Sequence, residues 1–147
     1  MDTLVTYRPY NALTASGVSD SRPNNTGVSI NKGTPVRMNS SGELDFIDVS
    51  IEAQALSVSG VAAESIPDGS SGVMITSGKV SNITTSAVFG DFMYIDKTGN
   101  LTNIKPSIGV NSFVSGDFVV SVGVIAKNSD NPSNKDLVII IDVIGQL

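Results

Sequence analysis

Two stretches decide the fold: Gly33-Thr34-Pro35-Val36-Arg37-Met38-Asn39-Ser40-Ser41-Gly42-Glu43-Leu44 and Gly90-Asp91-Phe92-Met93-Tyr94-Ile95-Asp96-Lys97-Thr98-Gly99-Asn100-Leu101. Each opens on glycine, runs through a short apolar-rich segment, turns on polar residues that include a glycine, and closes on leucine. Glycine in such a turn supplies the positive φ that a tight hairpin requires. The likeness continues downstream. Val58-Ser59-Gly60-Val61-Ala62-Ala63 reads against Ser121-Val122-Gly123-Val124-Ile125-Ala126, and Val73-Met74-Ile75 against Val138-Ile139-Ile140. Hairpin, Gly-Val strand and apolar strand therefore occur twice in the same order. Two copies do not make a solenoid; they predict two related β units folded together.

Outward from these segments the chain reads as strands. The predicted strands are Val28–Ile30, Pro35–Met38, Leu44–Val49, Ala55–Ala63, Gly72–Thr76, Lys79–Ile83, Asp91–Asp96, Ser107–Val110, Asp117–Ala126 and Leu137–Ile144. Val120, Val122 and Val124 alternate with Ser121 and Gly123, the period-two signal of a strand. No stretch sustains a helical period. Many short strands joined by turn clusters predict an all-β fold, a small β-barrel or sandwich over residues 28–147. Residues 1–27, with Pro9, Gly17, Pro23, Asn24, Asn25 and Gly27, read as an extended N-terminal arm. Such an arm either adds a strand to a neighbour or stays unordered. Its Tyr7, Arg8 and Tyr10 have the character of interface anchors and are the candidate contacts to a capsid or a neighbouring protomer.

Composition narrows the function. The chain has 147 residues, 40% of them hydrophobic and 16% charged, where about 25% charged is usual. Net charge is −5. The few Lys and Arg form no stripe that would neutralise phosphates, so no direct nucleic-acid partner is expected. Without cysteine there is no disulfide, thiolate nucleophile or zinc-thiolate site, and without histidine the commonest general base and metal ligand are missing. The longest apolar run, near Leu137–Ile141, falls far short of the ~20 residues of a membrane span. Nor does the N-terminus resemble a targeting segment, so a protein made in the cytoplasm and used without export, with no membrane partner, is expected.

The remaining candidates for chemistry have plainer readings. A Ser-Lys pair would draw on Lys32, Lys79, Lys97, Lys105, Lys127 or Lys135, with nothing to single one out. Asp45 with Asp48, and Asp91 with Asp96, resemble paired glycosidase carboxylates, but also read as strand-end and turn acids. Asp130, Asn134 and Asp136 in the loop 128–136 offer hard oxygen donors without the glycine and terminal glutamate of a helix-loop-helix calcium site. Asn82-Ile83-Thr84 and Asn100-Leu101-Thr102 match glycosylation acceptors that matter only on an exported chain. A Lys–Asn cross-link would need a buried acid beside the pair. The expectation is no enzyme, no catalytic or metal-ligating residue and no cofactor, with Phe92 and Phe118 helping to fill the core.

Taken in order, Lys32-Gly33-Thr34-Pro35-Val36, Gly60-Val61-Ala62-Ala63, Gly78-Lys79-Val80, Gly90 to Leu101 and Gly123-Val124-Ile125-Ala126 resemble the capsid cement, or head decoration, proteins of tailed bacteriophages. The resemblance covers roughly residues 28–127 and leaves out the arm and the loop 128–136. It implies a structural virion protein on the outer surface of the capsid, bound to the major capsid protein and stabilising the shell by bridging capsomers. It also implies a homo-oligomer, a trimer before a dimer. The alternative is a receptor- or carbohydrate-binding module of a phage tail or fibre. That alternative would favour a groove lined by exposed aromatics, and the chain has no tryptophan.

Overall fold

The computed structural model describes residues 17–147; Tyr7, Arg8, Tyr10 and the rest of residues 1–16 lie outside it. The fold grows from the two hairpins. In the first, β2 (Pro35–Met38) pairs with β3 (Leu44–Asp45), Met38 facing Leu44. Asn39 Oδ1 accepts the N–H groups of Ser41 and Glu43 at 2.9 and 3.1 Å, and Gly42 takes φ 75°. In the second, β6 (Phe92–Ile95) pairs with β7 (Leu101–Thr102), Ile95 facing Leu101. Asp96 Oδ1 accepts the N–H groups of Thr98 and Asn100 at 2.8 and 3.0 Å, and Gly99 takes φ 83°. One turn chemistry, an Asx side chain holding two amides ahead of a left-handed glycine, builds both hairpins.

The equivalence extends through both halves. β4 (Val58–Ala62) places Gly60 opposite Val36, and β8 (Phe118–Lys127) places Gly123 opposite Met93, each beside a β-bulge. β5 (Ser71–Ile83) sets Met74 and Ile75 against Ala62 and Val61. β9 (Lys135–Gln146) sets Leu137 and Val138 against Ile125 and Val124. Val73-Met74-Ile75 thus answers to Asp136-Leu137-Val138, two residues from the match read in the sequence. A slip of two leaves every side chain on its own face, so the apolar pattern could not detect it.

All strands are antiparallel neighbours in one curled half-barrel sheet, in the order β3-β2-β4-β5-β9-β8-β6-β7. β1 (Gly17–Pro23), drawn from the stretch read as an arm, lies along β5. Met74 and Ile75 have β4 on one edge and β1 on the other. The next segment is anchored by buried Asn24, whose Nδ2 donates to the carbonyls of Val28 and Ile66 at 2.9 and 2.8 Å.

Each unit has an apolar cluster. The first gathers Ile30, Val36, Leu44, Ala62, Ile66 and Met74. Ala87, Met93, Leu101, Ile125 and Leu137 stand at the equivalent positions of the second unit, where they join a larger cluster. Ile30 and Ala62 give way to Ala87 and Ile125, an exchange of large and small that keeps total volume near constant.

Several sequence expectations are corrected. Ser107–Val110 is a turn, followed by two consecutive residues at positive φ, Asn111 (48°) and Ser112 (69°), where an extended strand runs at negative φ. Leu44–Val49 is a strand only to Asp45, and Val28–Ile30 contributes only a bridge from Ile30 to Ile66. The predicted strand from Ala55 begins at Val58, because Glu52–Ala55 forms α1, one turn that is too short to show a period. Gly72–Thr76 and Lys79–Ile83 join as β5, which runs on through Ser77 and through Gly78 at φ 103°. Leu101–Thr102 is a strand that the sequence reading omitted. Phe92 is 61% exposed, since it shares the outward face while Met93 and Ile95 point inward; Phe118 is half-buried, and Phe113 is the deeply buried aromatic.

Candidate functional site

The polar side chains that sequence reading singled out are mostly tied into local structure. Asp45 meets Arg37 at 2.9 Å across the first hairpin. Asp48 accepts the hydroxyl and N–H of Ser50, which hold its carboxyl below the usual range. Asp91 accepts Asn103 Nδ2 at 3.0 Å and the Val88 N–H at 2.9 Å, and its pKa is lowered by these bonds. Asp96 is committed to its turn. Each of these four acids is held by its own set of partners. Among the lysines, Lys97 binds Asp117 at 2.6 Å, Lys127 lies 5.6 Å from the Phe89 ring centroid, and Lys135 donates to the carbonyls of Thr85 and Ala87.

One constellation brings distant candidates together. Pairing of β5 with β9 places Lys79 beside Asp136, their charged groups 3.4 Å apart. Asp136 is 1% exposed. Its Oδ1 accepts Asn128 Nδ2 at 2.9 Å and the Asn82 N–H at 3.0 Å. Asn128 Oδ1 in turn accepts the N–H groups of Asp130 and Asn131 at 3.0 and 2.8 Å, which shapes the loop. A Lys, an Asn and a buried acid are thus in contact, the set that a Lys–Asn cross-link requires. Burial raises the Asp136 carboxyl, but hydrogen bonds from Asn128, the Asn82 amide and Lys79 outweigh it and leave the pKa below the ordinary value. The group is therefore an ionised acceptor paired with an ammonium, and the arrangement ties a loop to the sheet. Asp136 is spent here, so the calcium reading of Asp130, Asn134 and Asp136 has lost its central donor; among the described residues no cluster of acids could hold a metal.

Asp117, 2% exposed, is the second buried acid. Burial raises its pKa, and the bonds from Lys97 and from the Val114 N–H more than offset that. Carboxyls lowered in the native state stabilise it above their unfolded pKa of about 3.9, and that stability is lost as pH falls through the lower native values. No histidine titrates between pH 5 and 8. Thermal midpoints are expected to be flat from about pH 5 to 8 and to fall below about pH 4. Melts recorded across that range check this, and a fall beginning near pH 6 would contradict it.

Two concave features among the described residues are open and polar. A groove of about 420 Å³ is lined by Asn82, Ile83, Thr84, Thr85, Ser133, Asn134 and Lys135. A neighbour of about 190 Å³ shares Ile83, Thr84 and Thr85 and reaches Asn31, Lys32, Asn100 and Leu101. Neither contains an aromatic ring on which a sugar could stack. The exposed apolar surface is the more distinctive feature. Val88, Phe89 and Ile104 are 60, 45 and 51% exposed, and the Asp91 carboxylate gathers their loops by binding both the Val88 amide and Asn103. Ile108 and Val114 are exposed in the same long connection from β7 to β8. Sequence reading missed this set because isolated apolar residues in loops carry no period.

Compared with protein-family models, curated proteins and solved structures, the chain matches none of the three.

Proposed function

We propose that the chain is a structural virion protein that binds the outside of a tailed-phage capsid and bridges capsomers, with the major capsid protein as its partner. The resemblance supports this reading, and the residues that carry it are fixed points of the fold. Gly33, Gly90 and Gly99 occupy positive φ, and Gly60 and Gly123 sit where strands approach too closely for a side chain. The observation that carries the proposal is the set of exposed apolar loop side chains, Val88, Phe89 and Ile104 on loops gathered by Asp91, with Ile108 and Val114 further along the connection from β7 to β8. A surface of that kind works by contact area. A standard interface buries about 800 Å² per partner, and an oligomer that engages several capsid subunits gains further through effective concentration.

The test adds the purified chain to expanded heads stripped of it, counts occupancy by imaging, and measures the temperature at which DNA escapes. Saturable binding with a higher escape temperature is expected. Replacing Phe89 and Ile104 together by aspartate is expected to weaken occupancy at least tenfold. Binding without a gain in escape temperature would refute cementing, and absence of binding would refute the capsid partner.

A further inference from the structure

The described cations divide into two sets. Arg22, Arg37, Lys79 and Lys97 each lie within 3.4 Å of a carboxylate, on Asp20, Asp45, Asp136 and Asp117. Among the described residues, Lys32, Lys105, Lys127 and Lys135 have no carboxylate partner of this kind. These four stand in one region. Lys135 lines the larger polar groove and donates to the carbonyls of Thr85 and Ala87, just before Val88. Lys32 lines the smaller groove, which joins the larger through Ile83, Thr84 and Thr85. Lys127 lies against Phe89, and Lys105 follows Ile104 on the loop that Asn103 ties to Asp91. The grooves thus run up to the exposed apolar loops, and no acid lines either groove. Asp91, the acid that gathers these loops, is bound through Oδ2 by the Val88 amide and Asn103.

We propose that this region seats an extended acidic segment of the partner protein, its backbone along the two grooves and its Asp or Glu carboxylates on Lys135 and Lys32. The proposal rests on the capsid reading and deepens it: the segment belongs to the major capsid protein, and apolar residues beside it cover Val88, Phe89 and Ile104. An ammonium has three N–H donors. Lys135 spends two of them on carbonyl oxygens, which carry no formal charge to balance it, and the third is left for an anion. Asn134 Nδ2 donates to Asn82 Oδ1 at 3.0 Å. Asn82 Nδ2 and Asn134 Oδ1 then remain as one donor and one acceptor on the groove wall, the pair that the peptide group of an extended chain satisfies. Lys32, exposed in the adjoining groove, offers a second seat for a carboxylate. A nucleic-acid backbone carries its charge too densely for two lysines on a chain of net charge −5. Exposed charges of this kind add modestly to affinity but decide which partner is accepted, while the apolar loops supply contact area.

The test titrates the full chain onto expanded heads and measures occupancy at several salt concentrations. Raising NaCl from about 50 to about 500 mM is expected to weaken binding about tenfold or more, because salt screens exposed charge pairs and spares apolar contact. Lys32→Glu and Lys135→Gln are each expected to weaken binding about tenfold at the lower salt. Lys32 is exposed and has no partner among the described residues, so Lys32→Glu should melt with the parent even if Lys135→Gln loosens the Thr85–Ala87 loop. Arg22→Glu changes the net charge as much as Lys32→Glu but lines neither groove, and it should bind as the parent does. Binding that ignores both salt and Lys32→Glu, or an equal loss with Arg22→Glu, would overturn the inference and leave the capsid reading standing. Heads that take up no chain at any salt would remove the capsid reading and this inference with it.

Discussion

Gly123→Ala is expected to destabilise the chain by about 3 kcal/mol or more. A Cβ at this position would lie 1.9 Å from the Val138 carbonyl oxygen and 2.9 Å from its carbon. Both atoms are backbone, so no rotamer change relieves the clash. β9 must move off β8, and β9 is held on its other edge by β5. Relief therefore breaks ladder bonds around Gly123 and Ile139, adding about 1 kcal/mol for each bond lost. Gly60→Ala is the internal comparison. Its Cβ would lie 2.5 Å from the Ile75 carbonyl oxygen, and the β4–β5 ladder is only two residue pairs long and has more freedom to yield. A smaller loss is expected there. Gly145→Ala meets nothing within 4 Å and should fall within about 0.5 kcal/mol of the parent. Urea titrations of the three variants check the order; equal losses at positions 123 and 145 would refute the close-approach argument.

These two glycines show what the sequence could and could not convey. The repeated Gly-Val pairing was visible, and the register that it implied for β4 and β8 matches the structure. Its cause was not visible, because the atoms that exclude a side chain belong to β5 and β9, more than a dozen residues downstream. The hairpin turns were readable because their chemistry is local: Asn39 and Asp96 bind amides two and four residues ahead. Phe92 was misread because aromatic character at a strand start does not say which face it occupies; the buried neighbours Met93 and Ile95 decide that. Phe113 was missed for the opposite reason, since it enters the core from a connection with no period. Lys79 is read in the sequence as one lysine of a possible Ser-Lys pair and Asp136 as a possible calcium donor, while Asn128 only opens the loop 128–136. They form one site only because β5 pairs with β9, and that pairing joins residues more than fifty positions apart.

That site gives the second large effect. Asp136→Ala is expected to cost about 3 kcal/mol, read as a lower urea midpoint at unchanged slope. The argument turns on which groups can return to water. Lys79 is 35% exposed and recovers solvation when Asp136 is lost, so it adds little to that cost. Lys79→Met leaves the buried carboxylate without its ammonium but with its hydrogen bonds from Asn128 and Asn82, and should cost about 1–2 kcal/mol, less than Asp136→Ala. The Asn82 amide and Asn128 Nδ2 point at the Asp136 carboxylate, and Asn128 is buried. Asn82 sits at φ 58°, in the left-handed region that asparagine adopts more readily than most non-glycine residues. Removing the carboxylate strands both donors, and the loop that Asn128 organises through Asp130 and Asn131 loses its tie to the sheet. The double variant Asp136→Ala with Asn128→Ala should then lose clearly less than the sum of the single losses, because the second change removes a donor already orphaned by the first. Strict additivity, or a Lys79→Met loss as large as that of Asp136→Ala, would mean that the ion pair and not the hydrogen-bond scaffold holds this end of the sheet.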